Sequence, residues 1–253
     1  MPHNKIIKLN LTPAGFGDIS DELEEGIFNS YLSKPHHQDA DKHTHKNAHS
    51  YYEDESIGLY IDISGATNKI ESAVPNAFDK FISIIEGVAE IKNNKTGMIN
   101  TVIAGESFVI PKGYDYQWHQ NDHLRKLHLI YKPQNEPENS SHASLVYINE
   151  HSPVPWQGTS DGHNKKVLYQ NPSQTFTSGI WQSKSFDTGF ITFPYNEFII
   201  IKQGNLTCTE AEGLEHKVSS GEALFIPKGT RCSWLATDDI TLYFAQIKQL
   251  NSI

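Results

Sequence analysis

Cysteine is scarce in this chain: Cys208 and Cys232 are the only two in 253 residues. Two thiols cannot build a disulfide framework, and so low a count fits a reducing compartment. Long apolar runs are missing too. The longest, such as Phe198 to Ile201, are strand-sized, whereas a bilayer-spanning helix needs ~18 apolar residues or more. The opening Met1-Pro2-His3-Asn4-Lys5 leads into only a few apolar residues before Asn10, too few for a secretory signal. A cytoplasmic location is expected, with no membrane partner. Positive charge is in deficit as well. The formal net charge is −9 and no basic cluster exceeds Lys165-Lys166, so the chain is expected to repel phosphate backbones and to have no nucleic-acid partner.

What the chain does have is a repeat. Gly105-Glu-Ser-Phe-Val-Ile-Pro111-Lys-Gly113 returns as Gly221-Glu-Ala-Leu-Phe-Ile-Pro227-Lys-Gly229, and each copy runs on to a tryptophan at the same distance, Trp118 and Trp234. Upstream, Asp79-Lys80-Phe81 through Gly87 matches Asn196-Glu197-Phe198 through Gly204. Tyr52 leading into Gly58-Leu59-Tyr60 is matched with Tyr169 leading into Gly179-Ile180-Trp181. The openings also correspond, Ile6-Ile7-Lys8-Leu9-Asn10 with Leu145-Val146-Tyr147-Ile148-Asn149. Between the copies, Lys132 to Ser144 is polar, holds two prolines and lacks periodicity, as a linker does.

Each copy reads as short β-type runs punctuated by Gly, Asn, Asp and Pro. Asn93 to Gly97 and Glu210 to Gly213 are hairpin-like turns. Pro111 and Pro227 cannot donate a ladder hydrogen bond, so each marks a strand end. The clearest helix candidate is the acidic stretch Ser20 to Glu25. Many short strands with such punctuation predict an all-β chain of jelly-roll barrels.

The G-x5-P-x-G segments, the Glu197-x6-Gly204 spacing and the tryptophan after Pro-x-Gly resemble cupins, and in particular the ureidoglycine-aminohydrolase-like cupin family. The resemblance spans both repeats, most strongly residues 56–131 and 173–247. It implies two tandem cupin barrels (a bicupin of RmlC-like, double-stranded β-helix type). The N-terminal cupin domain would be residues 1–132, the linker 133–144 and the C-terminal cupin domain 145–253. Metal-binding cupins carry His-x-His, then a glutamate, then a histidine shortly after Pro-x-Gly, and these converge inside the barrel. In the second copy the glutamate is Glu197, but the histidine positions hold Ile191 and Phe193 (or Phe190 and Thr192) and Cys232. In the first, the glutamate position is Lys80 and the others are Val74 and Asn76 (or Ala73 and Pro75) and Tyr116. One carboxylate and one thiol do not make a metal site, and a lysine opposes a cation. No metal or other cofactor is therefore expected at either cupin site.

The candidate ligand pocket lies in the second barrel, at Glu197, Cys232, Trp234, Tyr195 and Trp181. A weaker one lies in the first, at Lys80, Tyr116 and Trp118. Aromatic walls with a few polar groups suit a small molecule, though tryptophans that simply fill a core explain the pattern equally well. A histidine-rich stretch, His36 to His49, is read as a solvated loop in preference to a metal tract. His119 and His123 could also meet, and a turn between two strands explains them equally well. The function read from sequence is binding of a small polar metabolite without a cupin-type metal, in a chain that could form a homodimer. Two alternatives stand beside it: an enzyme on an amino or ureido acid with relocated metal ligands, and a structural or assembly protein with filled barrels.

Overall fold

The structure, a computed structural model, describes residues 5–12, 46–67, 69–70, 74–132, 144–159 and 162–249. The acidic stretch Ser20 to Glu25, most of the histidine-rich stretch and most of the linker lie outside these residues. Every regular element described is a strand, which is the all-β class expected.

The strands of the first repeat are β2 (Lys46–Asp54), β3 (Leu59–Ala66), β4 (Lys69–Ile70), β5 (Val74–Pro75), β6 (Asp79–Glu86), β7 (Val88–Asn93), β8 (Ile99–Ile103), β9 (Ser107–Ile110), β10 (Asp115–Gln120) and β11 (Leu124–Tyr131), preceded by β1 (Ile7–Leu9). The second repeat begins with β12 (Val146–Tyr147) and β13 (Gln157–Gly158). It continues with β14 (Asn164–Gln170), β15 (Phe176–Ser183), β16 (Phe186–Asp187), β17 (Ile191–Thr192), β18 (Asn196–Gln203), β19 (Asn205–Glu210), β20 (Glu215–Ser219), β21 (Ala223–Ile226), β22 (Arg231–Ala236) and β23 (Ile240–Ile247).

Both repeats fold to one topology. The large sheets run β12-β9-β6-β11-β3-β2 and β1-β21-β18-β23-β15-β14-β13, and the small ones β4-β10-β7-β8 and β16-β22-β19-β20. Alternation sets the faces. Ile82, Ile84, Ile91, Phe108, Tyr116 and Trp118 meet inside the first barrel. Ile199, Ile201, Cys208, Leu224, Cys232 and Trp234 meet inside the second. The opposite faces of the two large sheets pack on each other, with Phe81 against Phe198 (ring centroids 5.4 Å apart) and Tyr131 stacked on Phe176.

The glycine that ends β6 and its counterpart after β18 show why the repeat keeps them. Gly87 (φ 89°) and Gly204 (φ 83°) are left-handed, and a Cβ there would stand 2.4 Å from the carbonyl oxygens of His123 and Asp239 respectively. Only glycine fits both the angle and the approach.

Two features depart from the sequence expectations. First, the opening strands are exchanged. β1 pairs with β21 of the second barrel and β12 with β9 of the first. Ile6 N donates to buried Glu210, which also bonds His216, and Lys8 pairs with Glu222 at 2.7 Å. Each repeat's first strand thus completes the other's sheet. Second, the match of Gly58 with Gly179 is corrected. Tyr52 and Tyr169 do correspond, but cross-strand register places Gly179 opposite Phe244, in the position where Asp62 faces His128. Asp62 and Gly179 each stand ten residues beyond their tyrosine, and equivalent bulges precede both tyrosines, so the pairing of the two glycines, not the spacing, was what misled.

Asp79 clasps the halves together. It is fully buried and accepts from Tyr169 OH (2.6 Å), Asn171 Nδ2 (3.2 Å) and Lys112 N (2.9 Å). Its counterpart Asn196 makes the equivalent local bond, from Lys228 N. Asp79→Ala removes the shared acceptor of three donors, two of them in buried bonds, and is expected to cost about 3 kcal/mol, against about 1 kcal/mol for Tyr169→Phe. Chemical denaturation of both variants checks this; equal or negligible losses would remove Asp79 from the clasp.

Candidate functional site

Glu197 lies on the interior face of β18, between Ile226 on β21 and Gln246 on β23. Only 5 % of it is exposed. Gln246 organises its surroundings. The Gln246 amide donates to Glu197 Oε2 (2.9 Å) and to Tyr195 OH (3.1 Å), and its carbonyl oxygen accepts from Lys165 Nζ (3.1 Å). Lys165 also rests over the Phe244 ring at 4.2 Å, and Lys248 lies 5.9 Å from the Tyr195 ring centroid. Burial pushes the Glu197 carboxyl up to about 8, against the pull of Lys165 and the Gln246 bond. Burial likewise holds Lys165 below the ordinary lysine range, and pushes Tyr195 up to about 12 with help from Glu197's charge. An acid raised towards neutrality beside a depressed amine can hold or pass a proton in water near pH 7.

The other predicted residues of the second barrel form a separate neighbourhood. Trp181 meets Trp234 edge-on (6.4 Å between centroids) and Phe186 (5.2 Å); Phe193 packs on Trp234 (5.3 Å) and His163 on Trp181 (4.6 Å). Cys232 is buried in the same interior. The predicted set is therefore two groups in one barrel. Glu197 and Tyr195 share the Gln246 network, while Trp181, Trp234 and Cys232 share the aromatic core. Trp181 links them, because it stands opposite Lys165 across the sheet.

Sequence reasoning missed Gln246 and Lys165. Gln246 was within reach, since in Leu242-Tyr-Phe244-Ala-Gln246 it falls two places beyond an interior phenylalanine. Lys165 was not, because the β14 bulge shifts the alternation before it.

In the first barrel Lys80 occupies the register position of Glu197, between Ile110 and Ile130. Its Nζ donates to Tyr116 OH at 3.3 Å. Trp118 is buried, donates to Gln120 and carries Lys126 over its ring at 4.0 Å. Deeper in, His128 and Asp62 are both buried with 3.9 Å between Nε2 and Oδ2. Asp62 is pushed up to about 6, chiefly by burial. Lys80, Tyr116 and Trp118 thus share a barrel interior, and Asp62, Lys126 and His128 are its unforeseen members. His49 corrects one reading: this end of the histidine-rich stretch is not loop but part of β2, with its ring edge-on to Tyr51. His119 and His123 do not meet; they face Glu90 and Glu86 separately.

The residues at the cupin ligand positions do not suit a metal of the usual kind. Ile191 and Phe190 are exposed, Phe193 is packed on Trp234, and the Asn76 amide is spent on the carbonyls of Phe78, Ile110 and Pro111. Among the described residues no group of three or more His, Cys, Asp or Glu is placed to hold an ion. No helix among them is long and apolar enough to cross a membrane.

Comparison with known proteins agrees with this architecture. Residues 170–241 match the EutQ-like cupin domain. A Pseudomonas syringae protein of unknown function from the DUF861 family aligns with a TM-score of 0.67 at 16 % identity, covering 78 % of this chain and 85 % of the other. A cupin 2 conserved barrel domain protein from Leptotrichia buccalis aligns at 0.60 and 14 % identity, covering 87 % and 94 %. Protein Ylba from E. coli, also of the DUF861 family, aligns at 0.58 and 13 % identity, covering 99 % and 94 %. At these identities the likeness is one of fold. No curated protein matches the sequence. The chain is an all-β protein of cupin fold.

The raised Glu197 makes stability depend on pH. Its folded pKa of about 8 exceeds the ordinary 4.5. Its contribution is therefore complete below pH 4.5 and is lost as pH rises through 8. Lys165, depressed, works in the opposite sense: its contribution is present above its ordinary pKa and lost as pH falls through the depressed one. Melting temperatures of wild type should decline across the Glu197 window, and Glu197→Gln should flatten that decline. A variant profile parallel to wild type would place the titration elsewhere.

Proposed function

We propose that the second barrel binds a small polar metabolite at Glu197, Gln246, Tyr195 and Lys165, without a cupin-type metal. The observation that carries this reading is the Gln246 network. It holds an acid and an amine together in the interior of a largely apolar barrel, where each is costly to bury. A filled structural core has no use for such a pair. The aromatic group around Trp181 and Trp234 supplies the apolar side of the pocket, and the cupin match over residues 170–241 covers Trp181, Tyr195, Glu197, Cys232 and Trp234.

The chemistry favours a ligand with an amine, amide or ureido donor for Glu197 and a carbonyl or carboxylate for Lys165. Insertion would take over bonds that Gln246 now makes to both. A cationic donor binds the ionised form of Glu197, so at low pH its binding must first displace the acid's proton.

Screening amino acids, amides, ureas and simple amines by thermal shift identifies the class, because binding to the folded state raises the melting temperature. For an amine-bearing ligand, affinity should rise with pH by up to about tenfold per unit until pH 8 and then level off. Glu197→Gln should remove that slope and weaken binding by about 1.5–3 kcal/mol, the range for a hydrogen bond to a charged group. Unchanged affinity in the variant would take Glu197 out of the site.

A further inference from the structure

The two small sheets end on equivalent strands, β8 in the first barrel and β20 in the second. An exposed strand edge is a template for pairing with another chain, and proteins blunt it with charge, proline or a covering contact. β20 is blunted. It carries Glu215 and Lys217, the Lys217 carbonyl accepts from Lys8 Nζ (2.7 Å), and Ser219 N donates to Glu222 Oε2 (2.7 Å). β8, which reads Ile99-Asn100-Thr101-Val102-Ile103, has no charge and no proline. Ile99 and Ile103 on its outer face, and Val88 and Met98 beside them, are each about half exposed.

Hydrogen-bond parity decides what the β8 edge offers. The Met98 carbonyl accepts from Asn93 N (2.8 Å) and Ala104 N donates to the Gly87 carbonyl (3.1 Å). The even-numbered residues of β8 therefore face β7, and Ile99, Thr101 and Ile103 direct their N–H and C=O groups outwards. Ile103 is already engaged: its N–H donates to Glu106 Oε2 (2.9 Å) and its carbonyl accepts from Glu106 N (3.1 Å). Ile99 and Thr101 keep two donors and two acceptors without a partner among the described residues. Between them, Asn100 has a buried Nδ2 that also lacks a hydrogen-bond partner.

We propose that β8 pairs antiparallel with β8 of a second copy of this chain, about a two-fold axis through Asn100. That register sets Ile99 of each copy opposite Thr101 of the other, and the unpartnered donors and acceptors close into four backbone hydrogen bonds. An axis through Thr101 would instead aim Ile99 at Ile103, whose groups Glu106 holds, and would close only two. With the axis at Asn100, the two Asn100 side chains fall opposite each other in a non-hydrogen-bonded pair, where side chains stand closest. Each amide then has the other's carbonyl within reach. Charge agrees with the register. On β7, Lys92 stands beside Ile99 and Glu90 beside Thr101, so each row across the joint has Lys92 at one end and Glu90 of the other copy at the other end. An axis through Thr101 would align Glu90 with Glu90. The small sheets of the two copies become one continuous sheet, joined by an isologous contact as a two-fold requires. A specific interface buries roughly 800 Å² per partner, and one strand edge with four half-exposed apolar side chains is small beside that. The dimer therefore dissociates on dilution. None of this depends on Glu197 or on the metabolite reading.

The test is analytical ultracentrifugation of the full chain from roughly micromolar to millimolar concentration, with amide hydrogen exchange at both ends of the range. The mass of two chains is expected at the top, falling to one on dilution, with the Ile99 and Thr101 amides protected only in the dimer. Thr101→Pro removes a donor that the single chain does not use, at a place where an edge strand tolerates proline. It should keep the melting temperature and raise the dissociation constant at least tenfold. Leu214→Lys, at the exposed start of the β20 edge, should leave the dimer unchanged. Asn100→Cys should link the two copies through residue 100 on oxidation, because Cys208 and Cys232 are buried; a dimer that does not link there refutes the register. A single-chain mass at every concentration overturns the proposal, as does a dimer unweakened by Thr101→Pro. Protection of the β8 amides in a single-chain species would give the edge to the chain's own residues and refute it equally.

Discussion

A sheet with two apolar faces must be covered on both, and its own barrel can cover only one. Each large sheet here meets that demand with the other. Phe81, Leu127, Leu129 and Tyr131 from one pack on Phe176, Phe198, Phe225 and Tyr243 from the other, in a single cluster drawn from both repeats. Burial on that scale dominates folding energetics. The exchanged strands β1 and β12 and the Asp79 clasp lock the arrangement in register. The halves are therefore not independent beads on a linker: neither large sheet is complete or covered without the other.

With the outer faces committed to each other, chemistry is left to the two interiors, and the shared topology lets one serve as a control for the other. Equivalent positions hold Lys80 and Glu197 on β6 and β18, His128 and Phe244 on β11 and β23, and Asp62 and Gly179 on β3 and β15. The first barrel buries charge where the second is aromatic, and the second buries an acid where the first has an amine. Scaffold demands alone would leave both interiors apolar, since buried charge is expensive. Each copy carries its costly groups in a different place, which is how sites diverge on a common fold.

The likeness to cupins bears on fold and stops short of activity. The metal-ligand positions are taken by groups with other duties: Phe193 packs on Trp234, Asn76 satisfies three backbone carbonyls, and Cys232 is buried in the apolar core. What remains of the motif is its geometry, with interior positions aimed at the barrel axis and refilled by carboxyl, amide, thiol and indole.

Legible along the chain were the all-β class, the repeat, the turns at Gly97 and Gly213, and the interior parity of residues 80, 82 and 84 and of 197, 199 and 201. These follow from local rules: glycine at positive φ, proline without a donor, and side chains alternating with period two. Glu197 was legible as a candidate for the same reason. Its partners were not, because Lys165 and Gln246 reach it from other strands and the bulge in β14 breaks the count that would have aimed Lys165 inward. Nor could spacing show that the two matching openings change places, or that Cys208 and Cys232 share a face. Those depend on which strand lies beside which, a choice made by the burial of whole sheets and recorded in no single stretch of chain.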